Sequence, residues 1–284
     1  GTVLDYARKR LSQLYASAGD TVRAACLFDQ GFPNFYLSPR QRAAMLTFMD
    51  HPRRTSFDRI LLDFNRYSRS DIIEYQAVTL LYEDRLAEAV AMFESFTGSG
   101  DAELPGDPFV IHINDCHDCD HADPARVRYT KLDFAKRMRD LKERVARDPK
   151  NASVNAFTLA NGYYNMTFFG NARRVYETEI GRREYVSISE AERWRGDPVF
   201  ACGRAEQAYL VAMRASSDPE FRARCIFMAA KCEQNAFFLY KPAGYVGDFR
   251  AGRYFRQLKT EFGATGFYGD AIRECGYFRR FGLQ

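Results

Sequence analysis

The chain has one Trp and four His, and no stretch of it approaches the roughly 18 consecutive apolar residues of a membrane span. It lacks a charge imbalance as well. With 41 basic and 37 acidic residues the net charge is +4, too little for the electrostatic footprint of a nucleic-acid or membrane-surface binder. Strand patterning is scarce: only Pro108 to Ile113 reads as a short extended run. Seven Cys, an odd number in a chain of 284 residues, exclude a small disulfide framework. Cys26, Cys225 and Cys232 sit in apolar helical runs and read as small buried hydrophobes. No Ser/His/Asp constellation, no His-Glu-x-x-His helix and no phosphate loop occurs; the Gly/Pro-rich stretch from Tyr240 to Asp248 lacks that pattern. Gly1 stands where an initiator Met would be and reads as a processing or tag scar, which leaves room for a removed signal peptide and decides nothing about compartment. Separately, a scaffold role carries the expectation of a piece of a larger chain.

What the chain has in quantity is apolar and aromatic surface. Apolar residues make up 46% and charged residues 27%, the balance of a folded globular protein. The 24 Phe and 17 Tyr imply ring-filled seams between helices. Apolar periodicity is helical almost throughout. Tyr129 to Asp148 carries Leu132, Phe134, Met138, Leu141 and Val145 on one face. Asp218-Pro219 is a strong helix start for a run through Phe221, Ile226, Phe227 and Ala230. A last helix is expected from Tyr268 to Phe281.

One pattern recurs. Leu11-Ser12-x-x-Tyr15 is followed by Ala24-x-x-x-Phe28. Gln76-Ala77-x-x-Leu80 is followed by Ala89-x-x-x-Phe93. Leu159-Ala160-x-x-Tyr163 is followed by Ala172-x-x-x-Tyr176. The interval from the Tyr or Leu to the second Ala is the same in all three. A small residue on a first helix lets a second approach, and a ring one turn later fills the outer gap. Gly19-Asp20, Glu83-Asp84-Arg85 and Gly170-Asn171 supply turns between the members. Ala205-x-x-x-Tyr209 repeats the second half of the pattern, and residues 39–66 hold a degenerate helix pair.

On these motifs the chain resembles the tetratricopeptide-repeat family over about a third of its length, although the copies are not tandem at the family's period. The resemblance implies an all-α, tetratricopeptide-like α-solenoid of antiparallel helix pairs. It divides into N-terminal helical repeats (1–97), a Cys/His-rich insertion (98–127) and C-terminal helical repeats (128–284) in one continuous solenoid. It further implies a concave groove faced by Gln13, Asn161, Tyr164 and Asn165, suited to bonding the backbone of an extended peptide.

The insertion carries the chemistry. Residues 112–121 read His-Ile-Asn-Asp-Cys-His-Asp-Cys-Asp-His, gathering three of the four His and two of the Cys. Cys116 and Cys119 have the C-x-x-C spacing that grips one tetrahedral ion, and sulfur with imidazole selects zinc over calcium or magnesium. The expected ligands are Cys116, Cys119 and His121, completed by His112 or His117. Asp115, Asp118, Asp120 and Asp123 are placed to orient the imidazoles. Asp120 follows the second Cys where c-type haem attachment needs His, which excludes haem. A closed structural zinc site is favoured, because an insertion of this length has no core of its own. Alternatives stay open: a C-x-x-C disulfide, redox-active or structural; ordinary loop histidines; or an open zinc site hydrolysing a substrate with Asp115 or Asp118 as base.

The Asp-Cys-His-Asp-Cys-Asp-His stretch also resembles a segment of large uncharacterised repeat proteins of Bacteroidetes, as do Phe227-Met228, Lys231-Cys232-Glu233 and Glu274 to Phe278. That resemblance implies a bacterial protein of the cell envelope or exported, with the cytoplasm as the alternative, and implies no activity. Among other features, Arg53-Arg54 reads as a solvated loop rather than a phosphate site. Arg193-Trp194-Arg195 reads as a cation–π cluster holding a helix turn, with a partner anchor as the alternative. Asn151 and Asn165 head glycosylation sequons, Asn165 within a predicted helix. The expectation is a protein- or peptide-binding scaffold, without nucleic acid or a membrane span, and more a binding module than an enzyme.

Overall fold

The computed structural model describes residues 2–95, 103–113, 127–181, 196–241, 249 and 252–282. Among them the chain is all-helical, with thirteen α-helices and no strand. The first six are α1 (Val3–Ser17), α2 (Thr21–Leu27), α3 (Pro39–Asp50), α4 (Ser56–Phe64), α5 (Arg69–Tyr82) and α6 (Leu86–Glu94). Then come α7 (Lys131–Arg147), α8 (Ala152–Asn165), α9 (Gly203–Arg214), α10 (Pro219–Tyr240), α11 (Arg253–Phe262), α12 (Gly266–Glu274) and α13 (Gly276–Gly282). No helix among the described residues is long and apolar enough to cross a membrane.

Local sequence explains where most helices begin. Thr2, Thr55, Ser68 and Thr130 each accept the third backbone N–H of their helix, and Asp5, Asp58, Asp71 and Asp133 reach back to the cap. Each reciprocal box satisfies two otherwise orphaned donors, worth about 1 kcal/mol. Pro at the first helical position starts α3 after Ser38 and α10 after Asp218. Two tight turns need a left-handed residue. Gly19 (φ 81°) supplies it between α1 and α2, and Asp84 (φ 64°) between α5 and α6. A non-glycine is retained at 84 because its carboxylate is used: Tyr163 Oη donates to Oδ1 at 2.6 Å, and Lys142 Nζ lies 2.5 Å from Oδ2.

The repeated small residues sit at helix crossings. Ser12 is buried and donates its Oγ to the Ala24 carbonyl at 2.8 Å, joining α1 to α2. Ala77 and Ala89 are fully buried where α5 meets α6. From α5 to α11 the most extensive packing is between helices successive in sequence. Two main cores result, one under the first four helices and α5, the other running from α5 to α13.

Two expectations change. Ala172 and Tyr176 are buried as the third copy requires, but they flank a 3-10 turn, Arg173–Val175, not a helix. The chain folds back on the end of α8 instead. Ala172 N donates to Asn165 O at 3.0 Å, Asn171 Nδ2 donates to Asp107 O at 3.0 Å, and Gly170 lies against the Asn165 backbone with no room for a Cβ. The helix packed on α8 is α9, which brings Ala205 and Tyr209, both buried. The expected final helix is also divided: Cys275 adopts extended backbone between α12 and α13. Arg279 Nε then donates to the Ile272 carbonyl at 2.9 Å, near that break.

Candidate functional site

The site is built around residues 103–113, an irregular segment seated against α8. Its base is closed by residues 128–129, just before α7. Leu104 N donates to Tyr129 O at 2.7 Å, Arg128 pairs with Glu103 at 3.1 Å, and the Phe109 ring meets the Tyr129 ring edge-on at 5.1 Å. Leu104 and Phe109 are buried in the larger core, which makes this closure a packed neck rather than a loose loop base.

Above the neck, four consecutive carbonyls are taken by three asparagines. Asn171 donates to Asp107 O (3.0 Å), Asn165 to Pro108 O (3.0 Å), Asn161 to Phe109 O (2.8 Å) and Asn165 again to Val110 O (2.7 Å). Asn161 and Asn165 are one helical turn apart, which puts both amides on one face of α8. Tyr209 of α9 donates to Asn161 Oδ1 at 2.9 Å and so fixes which way that amide points. Lys231 of α10, also buried, continues the series with Nζ 3.4 Å from His112 O. The run Pro108 to Ile113, read from sequence as an extended strand-like piece, is thus hydrogen-bonded by side chains and pairs with no strand among the described residues. Buried polar backbone must find partners, and here a helix face supplies them.

This geometry corrects the expected groove. Asn161, Tyr164 and Asn165 do share a face of α8, but all three are buried, and the two amides are engaged by the chain's own segment. Tyr164 Oη receives Asn235 Nδ2 at 3.4 Å, with Lys231 Nζ 5.7 Å from its ring centre. Gln13 is exposed on α1, where Arg10 Nη1 donates to its Oε1 at 3.5 Å; α1 belongs to the smaller core, so Gln13 does not join the other three. The sequon at Asn165 is closed off by the same burial, whereas Asn151 is exposed with its amide on Asp148.

Of the proposed metal ligands, His112 is described: it is exposed at the end of the asparagine-held segment. Cys116, His117, Cys119 and His121 lie outside the described residues, as do Asp115, Asp118, Asp120, Asp123 and the Arg193-Trp194-Arg195 cluster. Among the described residues no three His, Cys, Asp or Glu are grouped to hold a metal. The described cysteines are free thiols. Burial pushes Cys26 and Cys225 up to about 12 and Cys232 well above its ordinary value. Cys232 stands beside Cys202, whose sulfur lies 3.8 Å from Asn235 Nδ2. Such thiols are inert packing groups, as expected for Cys26, Cys225 and Cys232.

Compared with protein-family models, with curated proteins and with solved structures, the chain finds no match. From sequence, Asn171 reads only as a turn residue, Tyr209 as a repeat position and Lys231 as part of a resemblance, and none of them as a site residue. The available signal was a run of carboxamides on and just beyond an otherwise apolar helix, since a buried amide needs a partner.

Proposed function

We propose that the chain is a protein- or peptide-binding helical scaffold of the tetratricopeptide kind, and that it carries, on a loop rooted in its body, a Cys/His cluster that holds a structural zinc ion. The observation that carries this reading is the asparagine cradle under residues 107–110, immediately before the Cys/His run. Three amides, two of them buried, and a buried lysine are a large outlay of polar groups for an ordinary connection. They fix the point from which His112 and the following residues depart, and the neck at Leu104 and Tyr129 fixes the return. A rooted base lowers the ordering cost of bringing four donors together, and the donor set of Cys116, Cys119 and His121 with His112 or His117 matches tetrahedral zinc. The scaffold half of the reading is supported by the packing of successive helices from α5 to α11, an arrangement in which each helix needs only its neighbours.

Metal analysis of protein purified without chelator tests the loop. The expected result is one zinc per chain, lost in Cys116→Ser with the helical circular-dichroism signal intact. Binding should also weaken as pH falls through the imidazole range, near 6.5 in an unperturbed His. Protein without stoichiometric transition metal, with Cys116 and Cys119 joined as a disulfide, would replace the zinc reading by a redox or structural C-x-x-C.

A further inference from the structure

The turns that join α3 to α4 and α4 to α5 meet over a cleft of about 510 Å³, remote in sequence from the asparagine cradle. Its wall carries Arg54, Arg66 and Arg69, and its apolar part is Met49, Leu62 and Tyr67. Among the described residues the only lining carboxylate is Asp71, whose Oδ2 is committed to the α5 cap, accepting Ser68 N and Oγ at 2.7 Å each. Two of the arginines are held in place from outside. Arg69 forms a fork on Asp50 at 2.8 and 3.2 Å, and Arg66 pairs with Asp29 at 3.3 Å while lying over the Tyr67 ring. Tyr67 is in turn propped edge-on by Tyr36, whose hydroxyl donates to Asn65 Oδ1 at 2.6 Å. Arg54 differs: it is half-buried and has no hydrogen-bond or carboxylate partner among the described residues.

A half-buried arginine with no carboxylate partner among the described residues, flanked by two braced ones, is a cationic wall short of negative charge. The cleft is also far larger than a bare oxyanion fills, and its apolar side calls for an organic carrier. We infer that this cleft binds an oxyanion, carboxylate or phosphate, presented on a side chain of an extended peptide. Arg54 is the principal ligand, Arg66 and Arg69 add field and orientation, and the carrier lies on Met49, Leu62 and the Tyr67 ring. The inference departs from the solvated-loop reading of Arg53-Arg54 at Arg54 alone; Arg53 is exposed and does not line the cleft. It rests on the scaffold reading only in taking a peptide as the carrier; the anion site itself stands on the cleft alone.

The test uses the full chain and short fluorescein-labelled peptides that differ at one central position: phosphotyrosine, glutamate, tyrosine or glutamine. Anisotropy should rise with the phosphotyrosine or glutamate peptide and not with the neutral pair, and the stronger of the two identifies the anion. Arg54→Gln should weaken binding roughly tenfold, the loss of one charge-assisted contact. Arg53→Gln, on the same turn but not lining the cleft, should leave it unchanged, and both variants should keep the parent's circular dichroism. Equal binding of neutral and charged peptides, or indifference to Arg54→Gln, overturns the proposal. Inorganic phosphate provides the separating arm. If it binds in an Arg54-dependent manner while no peptide does, the anion site survives and the peptide carrier, with the scaffold reading at this face, falls. If neither binds, the site itself falls.

Discussion

Asn165 donates its side-chain amide to two carbonyls on either side of one residue, Pro108 O at 3.0 Å and Val110 O at 2.7 Å, from a fully helical position at the end of α8. A peptide-binding asparagine does the same to a bound ligand; here the bound strand is covalently part of the chain. The pairing makes Asn165 the central peg of the cradle.

Asn165→Ala should therefore destabilise the chain by about 2–4 kcal/mol. Leaving a buried acceptor at Pro108 and a part-buried one at Val110 unsatisfied costs roughly 1–3 kcal/mol each, less what water recovers at the second. Asn165→Asp should be at least as damaging, since it places an acceptor against two acceptors. Urea unfolding followed by circular dichroism measures both. Limited proteolysis should show new cleavage between 103 and 129 before the helices are cut. A change under 0.5 kcal/mol in both variants would mean that the packing of Leu104 and Phe109 alone holds the segment.

Gly170→Ala should be worse than Gly162→Ala. A Cβ on Gly170 would meet the Asn165 backbone, which cannot move without breaking the cradle. A Cβ on Gly162 would meet the Met138 thioether and the Phe109 ring, with Phe109 Cε1 at 3.0 Å. Methionine is the more adaptable neighbour, so about 1–3 kcal/mol of overpacking is expected at 162, and failure to fold, or a larger loss, at 170. Thermal unfolding of the two variants side by side decides the order; a milder effect at 170 than at 162 would contradict the close approach.

The parts of the fold that were readable in the sequence are those decided within a few residues. Thr130 with Asp133, Ser68 with Asp71 and Pro219 after Asp218 announce helix starts because cap and donor are neighbours in the chain. Ser12 with Ala24, and Ala77 with Ala89, were readable because a helix pair with a short turn is nearly local. Ala160 and Ala172 have identical spacing and yet do not make a pair. What diverts the chain is a bond from Asn171 to a carbonyl 64 residues earlier, which no local pattern encodes. The cradle was half readable for the same reason. The four-residue spacing of Asn161 and Asn165 on a helix is local and readable, but their partners lie 52 to 57 residues away, and the contact of Lys231 with His112 spans 119, so the sequence points to an open groove where the structure has an internal cradle.

Thiol chemistry should separate the described cysteines into two groups. Cys275 is half-buried, whereas Cys26, Cys202, Cys225 and Cys232 are buried. With a thiol raised to about 12, as for Cys26 and Cys225, roughly one in ten thousand is ionised at pH 8. Iodoacetamide at that pH should label Cys275 well before those four, which should react only with denaturant present. Peptide mass spectrometry reads each site; rapid native labelling of Cys26 or Cys225 would show that the cores open far more often than their packing suggests.

Alkaline pH should unfold the chain earlier than these cores otherwise would. The Cys26 and Cys225 thiols hold their protons more tightly folded than unfolded, being pushed from 9.0 to about 12 chiefly by burial. The buried tyrosines move the same way: desolvation raises Tyr36, Tyr163 and Tyr209, and the Asp84 carboxylate adds to the rise at Tyr163. Above pH 9 the unfolded chain releases thiol protons that the folded chain keeps. Stability is then full below pH 9 and is lost as pH climbs toward 12, with a slope of roughly 1 kcal/mol per pH unit for each thiol. Urea titrations at pH 8, 9, 10 and 10.5 under reducing conditions should show a falling midpoint. Cys26→Ala and Cys225→Ala should each flatten the fall between pH 9 and 10, before the tyrosines contribute, even where alanine lowers the stability at pH 8. A midpoint that stays constant to pH 10.5 in the parent chain would mean that both thiols reach water in the folded state, against their burial.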